Sequence, residues 1–219
     1  MLFRSQPDLL LSYTKVPNVA AALLWRRCNV RCCVWNQVDA GLLLEPNGFH
    51  RSAVRKVRHF IANAESGRAF LCNRYGLADG QVRLIRNGIA LAPPQQNRAA
   101  WRQQLKIEAS TPLAVMVANL SSYKDHATLL QAWQLLLDSW QGKQSPVLVL
   151  AGRFDDQAAP LQHLAAELGI AGAVRFIGQV QDVSGLLSSA DLLVHSSVSE
   201  GIPNAVLEGM ASGLAVVGS

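Results

Sequence analysis

Five short apolar runs, each followed or preceded by a stretch with helical spacing, constrain the second half of this chain more than any other feature. They are LAVMVANL (113–120), VLVLAG (147–152), VRFIG (174–178), DLLVHS (191–196) and LAVVGS (214–219). Continuous Val/Leu runs, rather than strict apolar–polar alternation, mark strands covered on both faces. Helices are expected between them, from Asp125 to about Trp140 and over Pro160–Leu168, Asp182–Ser189 and Pro203–Ala211. Strands and helices in strict alternation call for a parallel sheet in a doubly wound α/β fold.

The first half repeats the pattern. Strands are expected at Asp8–Tyr13, Val30–Trp35, Phe60–Asn63 and Val82–Ile85. Helices are expected over Pro17–Arg27, from Asn47 to about His59, and over Ser66–Tyr75 with Gly76 as the cap. The clear interruption is RNGIALAPPQQN (86–97), where Asn-Gly and Pro-Pro are linker chemistry. The expected domains are therefore 1–86 and 87–219, and a chain of 219 residues, half of them hydrophobic, can give each a core.

Composition narrows the function. The net charge of +5 owes much to RSAVRKVRH (51–59), read as a basic helix. Such a helix is either a solvated face or a peripheral contact with an anionic membrane. No aromatic stacking motif accompanies the charge, so nucleic acid is not an expected partner. Cys28, Cys32, Cys33 and Cys72 form neither a CxxC pair nor a zinc pattern, so free thiols and no metal are expected. The longest apolar run, VAAALLW, is far short of the ~20 residues of a membrane helix, and no signal peptide is read. The expected location is cytoplasmic, with peripheral attachment at the inner face of the membrane as the variant.

A ligand site follows from the expected topology. In the common order 3-2-1-4-5-6, strands one and four of the second domain are neighbours at the switch point, and ligands bind beyond their carboxyl ends. The segments leaving those ends are ANLSSYKDH (118–126) and HSSVSEGIPNAVLE (195–208). Pro203 suits a first helical turn, and the N–H groups from Gly201 through Ile202 and Asn204 to Ala205 would then form an anion site. Gly201 would let the backbone approach a ligand, and Lys124 adds a positive charge. Glu200 and Glu208 would be unfavourable beside an anion unless they accept hydrogen bonds from vicinal hydroxyls. The plain alternative is a helix with a favourable N-terminal carboxylate and a solvated second one. Coincidence with Lys124 at the switch point favours a nucleotide-diphosphate sugar.

The segment SVSEGIPNAVLEGMA (197–211) resembles the E-x7-E motif of the family 4 glycosyltransferases, retaining enzymes of the GT-B fold. VANLSSYKDHATLLQAW resembles their phosphate-binding loop and helix, IRNGI the start of their interdomain linker, and VRFIGQVQDVSGLLSSADLLVHSS the stretch before the glutamates. The likeness covers most of 82–219 and is looser over 7–81. It implies two Rossmann-like domains and transfer of a sugar from a nucleotide-diphosphate donor, with retention and without a metal, in polysaccharide or glycoconjugate synthesis. The acceptor would be a carbohydrate or a lipid-linked molecule. By resemblance, Glu208 holds the ribose, Glu200 contacts the donor sugar, Lys124 and the helix N-terminus stabilise the diphosphate, and the backbone of Phe176, Ile177 and Gly178 meets the base.

The chain also departs from that pattern. Asn119 stands where the family has a phosphate-binding arginine, Gly209 where alanine is usual, and Ala215 where proline is usual. Asn36 and Gln37 occupy a region where many members carry a histidine. The resemblance further implies a fragment lacking its first strands and its last strand and C-terminal helices. Leu2–Ser5, a run that a sequencing adapter can encode, is read as foreign to the gene. Two alternatives stand beside the transferase: a nucleotide-sugar 2-epimerase of the same fold and a non-catalytic donor-binding module. A nicotinamide oxidoreductase is disfavoured, because LAGRFDD lacks the GxGxxG turn.

Overall fold

In the computed structural model, which describes residues 7–41 and 47–219, the apolar runs form two separate parallel sheets. Leu2–Ser5 lies outside the described residues. The chain divides into two units, Met1–Gly88 with Ser199–Ile202, and Ile89–Val198 with Pro203–Ser219. The first unit ends at Gly88, two residues beyond the expected boundary at 86/87, while its sheet closes with the Ile85 N–H bonding the Ala62 carbonyl at 2.9 Å.

The first unit contains β1 (Leu9–Tyr13), α1 (Lys15–Leu24), β2 (Cys32–Gln37), α2 (Gly48–Val54), β3 (His59–Ala62), α3 (Glu65–Tyr75) and β4 (Val82–Leu84). The strands lie in chain order β1-β2-β3-β4, every pair parallel. β2 begins two residues later than the apolar run predicts. Asn29 is left-handed at φ 54°, Val30 N–H turns back to the Trp25 carbonyl, and pairing with β1 starts at Cys32. The expected basic helix 51–59 is corrected as well: α2 stops at Val54, and His59 is drawn into β3 opposite Val34. Gly76 does cap α3, at φ 72°. Trp35, Phe60 and Leu71 centre the core of this unit.

The second unit contains α4 (Arg98–Gln104), β5 (Leu113–Val117), α5 (His126–Ser139), β6 (Val147–Ala151), α6 (Ala158–Glu167), β7 (Val174–Gly178), α7 (Val183–Ser189), β8 (Leu192–His195), α8 (Asn204–Ala211) and β9 (Ala215–Gly218). The sheet order β7-β6-β5-β8-β9 is the expected 3-2-1-4-5, all parallel. Side chains alternate between two cores, as a period of two demands. Ala114, Met116, Leu148 and Leu150 pack with Leu130, Trp133 and Leu161. Val115, Val149, Ala151 and Leu193 pack with Trp101, Leu186 and Leu187 on the other face.

The helix α4 was not foreseen beside the linker. Its start is Asn97, whose side chain accepts the Ala100 N–H at 2.9 Å. Its Arg102, 3% exposed, donates to the carbonyls of Ser189, Glu108, Ala109 and Thr111 and pairs with Asp191 at 2.9 Å. At the opposite edge from β7, β9 carries Val217 61% exposed.

Candidate functional site

The order reversal falls between β5 and β8, which pair through Ala114–Leu192 and Val115–Leu193. Their exits are tied together. After β5 the chain makes a 3-10 turn over Ser122–Lys124, and Asp125 then adopts φ 46°, in the left-handed region. The Asp125 carboxylate caps α5 by accepting the Thr128 N–H. The loop leaving β8 holds this turn: Ser196 Oγ donates to the Lys124 carbonyl at 3.1 Å and Ser197 Oγ to the Tyr123 carbonyl at 3.0 Å. Val198 N–H donates to the same Tyr123 carbonyl at 2.9 Å. The Lys124 ammonium lies 5.2 Å from the centre of the Tyr123 ring, within cation–π range.

The β5 exit is also locked to its other neighbour. Asn119 Oδ1 accepts the Arg153 N–H at 3.2 Å, and Leu120 N–H bonds the Arg153 carbonyl at 3.0 Å. Gly152 lies so close that a methyl there would fall on the Ala118 carbonyl. Asn119 therefore has a structural task of its own, which an arginine at that position would forfeit.

Beneath the turn lie two buried histidines. His126, 2% exposed, has neither ring nitrogen hydrogen-bonded, and burial with the nearby Lys124 and His195 pushes its pKa down to about 4. His195, the last residue of β8, is 5% exposed. Neither was singled out in the sequence. Nor were the paired hydroxyls of Ser196 and Ser197, although Ser197 opens the quoted motif; a hydroxyl flanking a lysine turn carries no periodicity to find it by.

Pro203 is corrected by one position. It is extended, at φ −72° and ψ 118°, and stands just before α8, which begins at Asn204. Its carbonyl accepts the Val206 N–H at 3.1 Å. Glu208 sits half-buried on α8, and burial raises its carboxyl above the usual range. It lines a cavity of about 180 Å³ with Ala90, Pro93, Gln181, Asp182 and Ser184. The cavity wall is fixed by Asp182, whose carboxylate accepts from Gln95 N, Gln96 N, Gly185 N and Trp101 Nε1. Burial alone would raise Asp182, but these four donors together take its carboxyl below the ordinary range. At Gly209 a methyl would lie 3.1 Å from Leu193 Cδ1, so an alanine there would need the Leu193 side chain to give way.

Phe176 packs towards the α5–α6 core and Ile177 towards the α4–α7 core. Gly178, at φ 73°, closes β7, and its carbonyl accepts the Gly152 N–H at 2.9 Å. Glu200, Gly201 and Ile202 belong to the first unit. There the close approach at Gly201 is to protein: a methyl would lie 2.5 Å from the Val38 carbonyl oxygen and 2.9 Å from Asn63 Oδ1. Asn36 and Gln37 are buried and structural. The Asn36 carbonyl accepts from Asn18, while Gln37 accepts from Trp35 Nε1 at 3.1 Å and donates to Asp39 at 2.9 Å. Lys124 and Asn119 thus flank the β5 exit, Glu208 faces the linker cavity, and Phe176–Gly178 end the edge strand β7.

The sequence profile of the family "Glycosyl transferases group 1" matches residues 97–219. An uncharacterized glycosyltransferase of Haemophilus influenzae is 35% identical over 112 residues, 51% of this chain and 30% of that protein. D-inositol 3-phosphate glycosyltransferase of Streptomyces scabiei is 30% identical over 174 residues, 75% of this chain and 39% of that protein. A Campylobacter jejuni enzyme, N,N'-diacetylbacillosaminyl-diphospho-undecaprenol alpha-1,3-N-acetylgalactosaminyltransferase, is 28% identical over 179 residues, 78% of this chain and 44% of that protein. The chain thus spans less than half the length of these relatives. Among solved structures, Anabaena HepE in complex with UDP-glucose superposes with a TM-score of 0.81 at 22% identity, covering 96% of this chain and 59% of that one. The likeness shows a shared α/β fold of the GT-B type.

Proposed function

This chain belongs to the group 1 glycosyl transferases, and on that premise we propose that it binds a nucleotide-diphosphate sugar and serves transfer of the sugar, with retention, to a hydroxyl of a carbohydrate or lipid-linked acceptor. One observation carries the reading. The lysine turn after β5 and the loop after β8 meet at the order reversal of the second sheet and are hydrogen-bonded to each other. That is where a doubly wound sheet binds ligands.

The chemistry follows from charge. As the bond from sugar to diphosphate breaks, negative charge grows on the leaving group, and a cation aimed at it stabilises the transition state more than the ground state. Lys124 is that cation. The first amides of α8 add partial positive charge. Glu208 is already partly desolvated, and two hydroxyl donors from a ribose would relieve the cost of its charge. Glu200 would contact the donor sugar, and the backbone at Phe176–Gly178 the base. Attack would come from the face the diphosphate leaves, with the departing phosphate oxygen accepting the acceptor's proton, so neither a metal nor a protein nucleophile is required. The solved HepE holds UDP-glucose, which supports a donor of this class.

The acceptor side rests on two observations. The Campylobacter relative carries a diphospho-undecaprenol acceptor in its name. In this chain Phe49 is 60% exposed beside exposed Arg51, Arg55 and Lys56. An aromatic among cations suits the interface of an anionic membrane. No helix among the described residues is long and apolar enough to cross one. The test is a transfer assay over a panel of nucleotide sugars, with the product's anomeric configuration read by NMR. Retained configuration supports the reading, and an inverted product refutes it. Glu208→Ala should weaken donor binding by ~1.5–3 kcal/mol.

A further inference from the structure

We propose that Ser196 and Ser197 are positioning residues that aim Lys124 at the diphosphate; the proposal rests on the phosphate-site reading above. The turn that carries Lys124 has little stability of its own. A 3-10 turn of three residues has strained hydrogen bonds, and a left-handed Asp125 costs about 1 kcal/mol or more. Within the turn, the Lys124 and Asp125 N–H groups bond the Ser121 and Ser122 carbonyls at 3.1 and 3.3 Å.

What holds the Tyr123 and Lys124 peptide units in place comes from the other strand. Ser196 is 6% exposed, and its hydroxyl reaches the Lys124 carbonyl. The Tyr123 carbonyl takes two donors, Ser197 Oγ and Val198 N–H. Tyr123 in turn supplies the ring beneath the Lys124 ammonium. The two hydroxyls therefore fix both the backbone from which the lysine projects and the ring that its head group lies on. β5 and β8 are neighbours only because the sheet order reverses there, so this clamp exists only where the topology also makes the crevice.

The experiment measures binding of UDP, ADP and GDP, and of the matching nucleosides, to the chain by calorimetry and ligand-observed NMR. The variants are Ser196→Ala/Ser197→Ala, Ser196→Thr/Ser197→Thr, Lys124→Ala and the triple alanine variant. The expected result is a loss of about three- to tenfold in affinity for the preferred nucleoside diphosphate in the serine-to-alanine pair, near-complete recovery with threonine, and unchanged nucleoside binding. In the Lys124→Ala background the serine changes should cost nothing further, since residues acting through one another are not additive. Equal loss for nucleoside and nucleoside diphosphate, or additive losses, would overturn the clamp while leaving the lysine's role intact. A Lys124→Ala variant that binds as the wild type does would instead refute the phosphate site, and the clamp's purpose with it. Failure of the wild type to bind any of the three diphosphates refutes both.

Discussion

The two sheets are built from the same parts, parallel strands joined by helical crossovers, and among the described residues the second reverses its strand order while the first runs in chain order. In the first unit the strands run β1-β2-β3-β4, and the buried polar groups at their carboxyl ends close on one another. Ser12 Oγ donates to Asn18 Oδ1 at 2.7 Å, and Asn18 Nδ2 to the Asn36 carbonyl at 2.8 Å. In the second unit the reversal between β5 and β8 gathers a lysine, two histidines and two serines. The polar groups of the first sheet hold a fold together. In the second, Ser196 and Ser197 tie the loop after β8 to the turn after β5. Between the described parts of the two sheets, the difference lies in strand order.

The sharpest way to break this contrast is Gly152→Ala. The added methyl would fall on the Ala118 backbone, which cannot turn away as a side chain can, so a loss of ~3 kcal/mol or more is expected. Hydrogen exchange followed unit by unit should show the loss in 89–198 and not in the first sheet. Uniform loosening of both would deny the units their separate stabilities.

Asp182→Ala comes next. It leaves two linker amides, the Gly185 amide and the Trp101 indole without their acceptor, and ~2–3 kcal/mol should be lost. The same protection map should fail first at Gln95 and Gln96 and spread to α7. A change confined to α7 would mean that the linker is held by something other than this carboxylate.

The His126 ring sharpens the comparison through pH. Its folded pKa, about 4, lies below the 6.5 of an unfolded histidine, so the unfolded chain binds more protons between these values. Stability of the second unit is therefore full above pH 6.5 and falls as pH drops towards 4, by at most ~1.4 kcal/mol per pH unit. Denaturant titrations from pH 7.5 to 4.5 should show this slope, and His126→Phe should flatten it. An identical slope in the variant would assign the acid sensitivity elsewhere.

The smallest effect is expected from Asn18→Ala in the first unit. It removes the side-chain partner of the Asn36 backbone and one of the two acceptors of Ser12 Oγ, which keeps the Val34 carbonyl, and should cost ~1–2 kcal/mol there, with nucleoside diphosphate affinity in the second unit unchanged. Altered diphosphate affinity in Asn18→Ala would erase the division of labour between the two polar clusters.

The sequence alone carried the doubly wound pattern and the strand order of the second sheet, because continuous apolar runs are local signals. It placed β7 at Val174–Gly178 to the residue. Local signals misled where long-range pairing intervened. The basic run 51–59 reads as one helix, yet His59 joins a strand because Val34 lies opposite it. Helix α4 was hidden beside a linker, since its anchor is the buried Arg102 reaching carbonyls and Asp191 some 90 residues away. Only the tertiary structure could decide that Asn119 serves Arg153, that Gly201 meets the Val38 carbonyl, and that Ser196 and Ser197 hold the lysine turn. Each of these is a contact between residues distant in the chain, and a hydrogen bond of that kind leaves no period in the sequence from which it could be read.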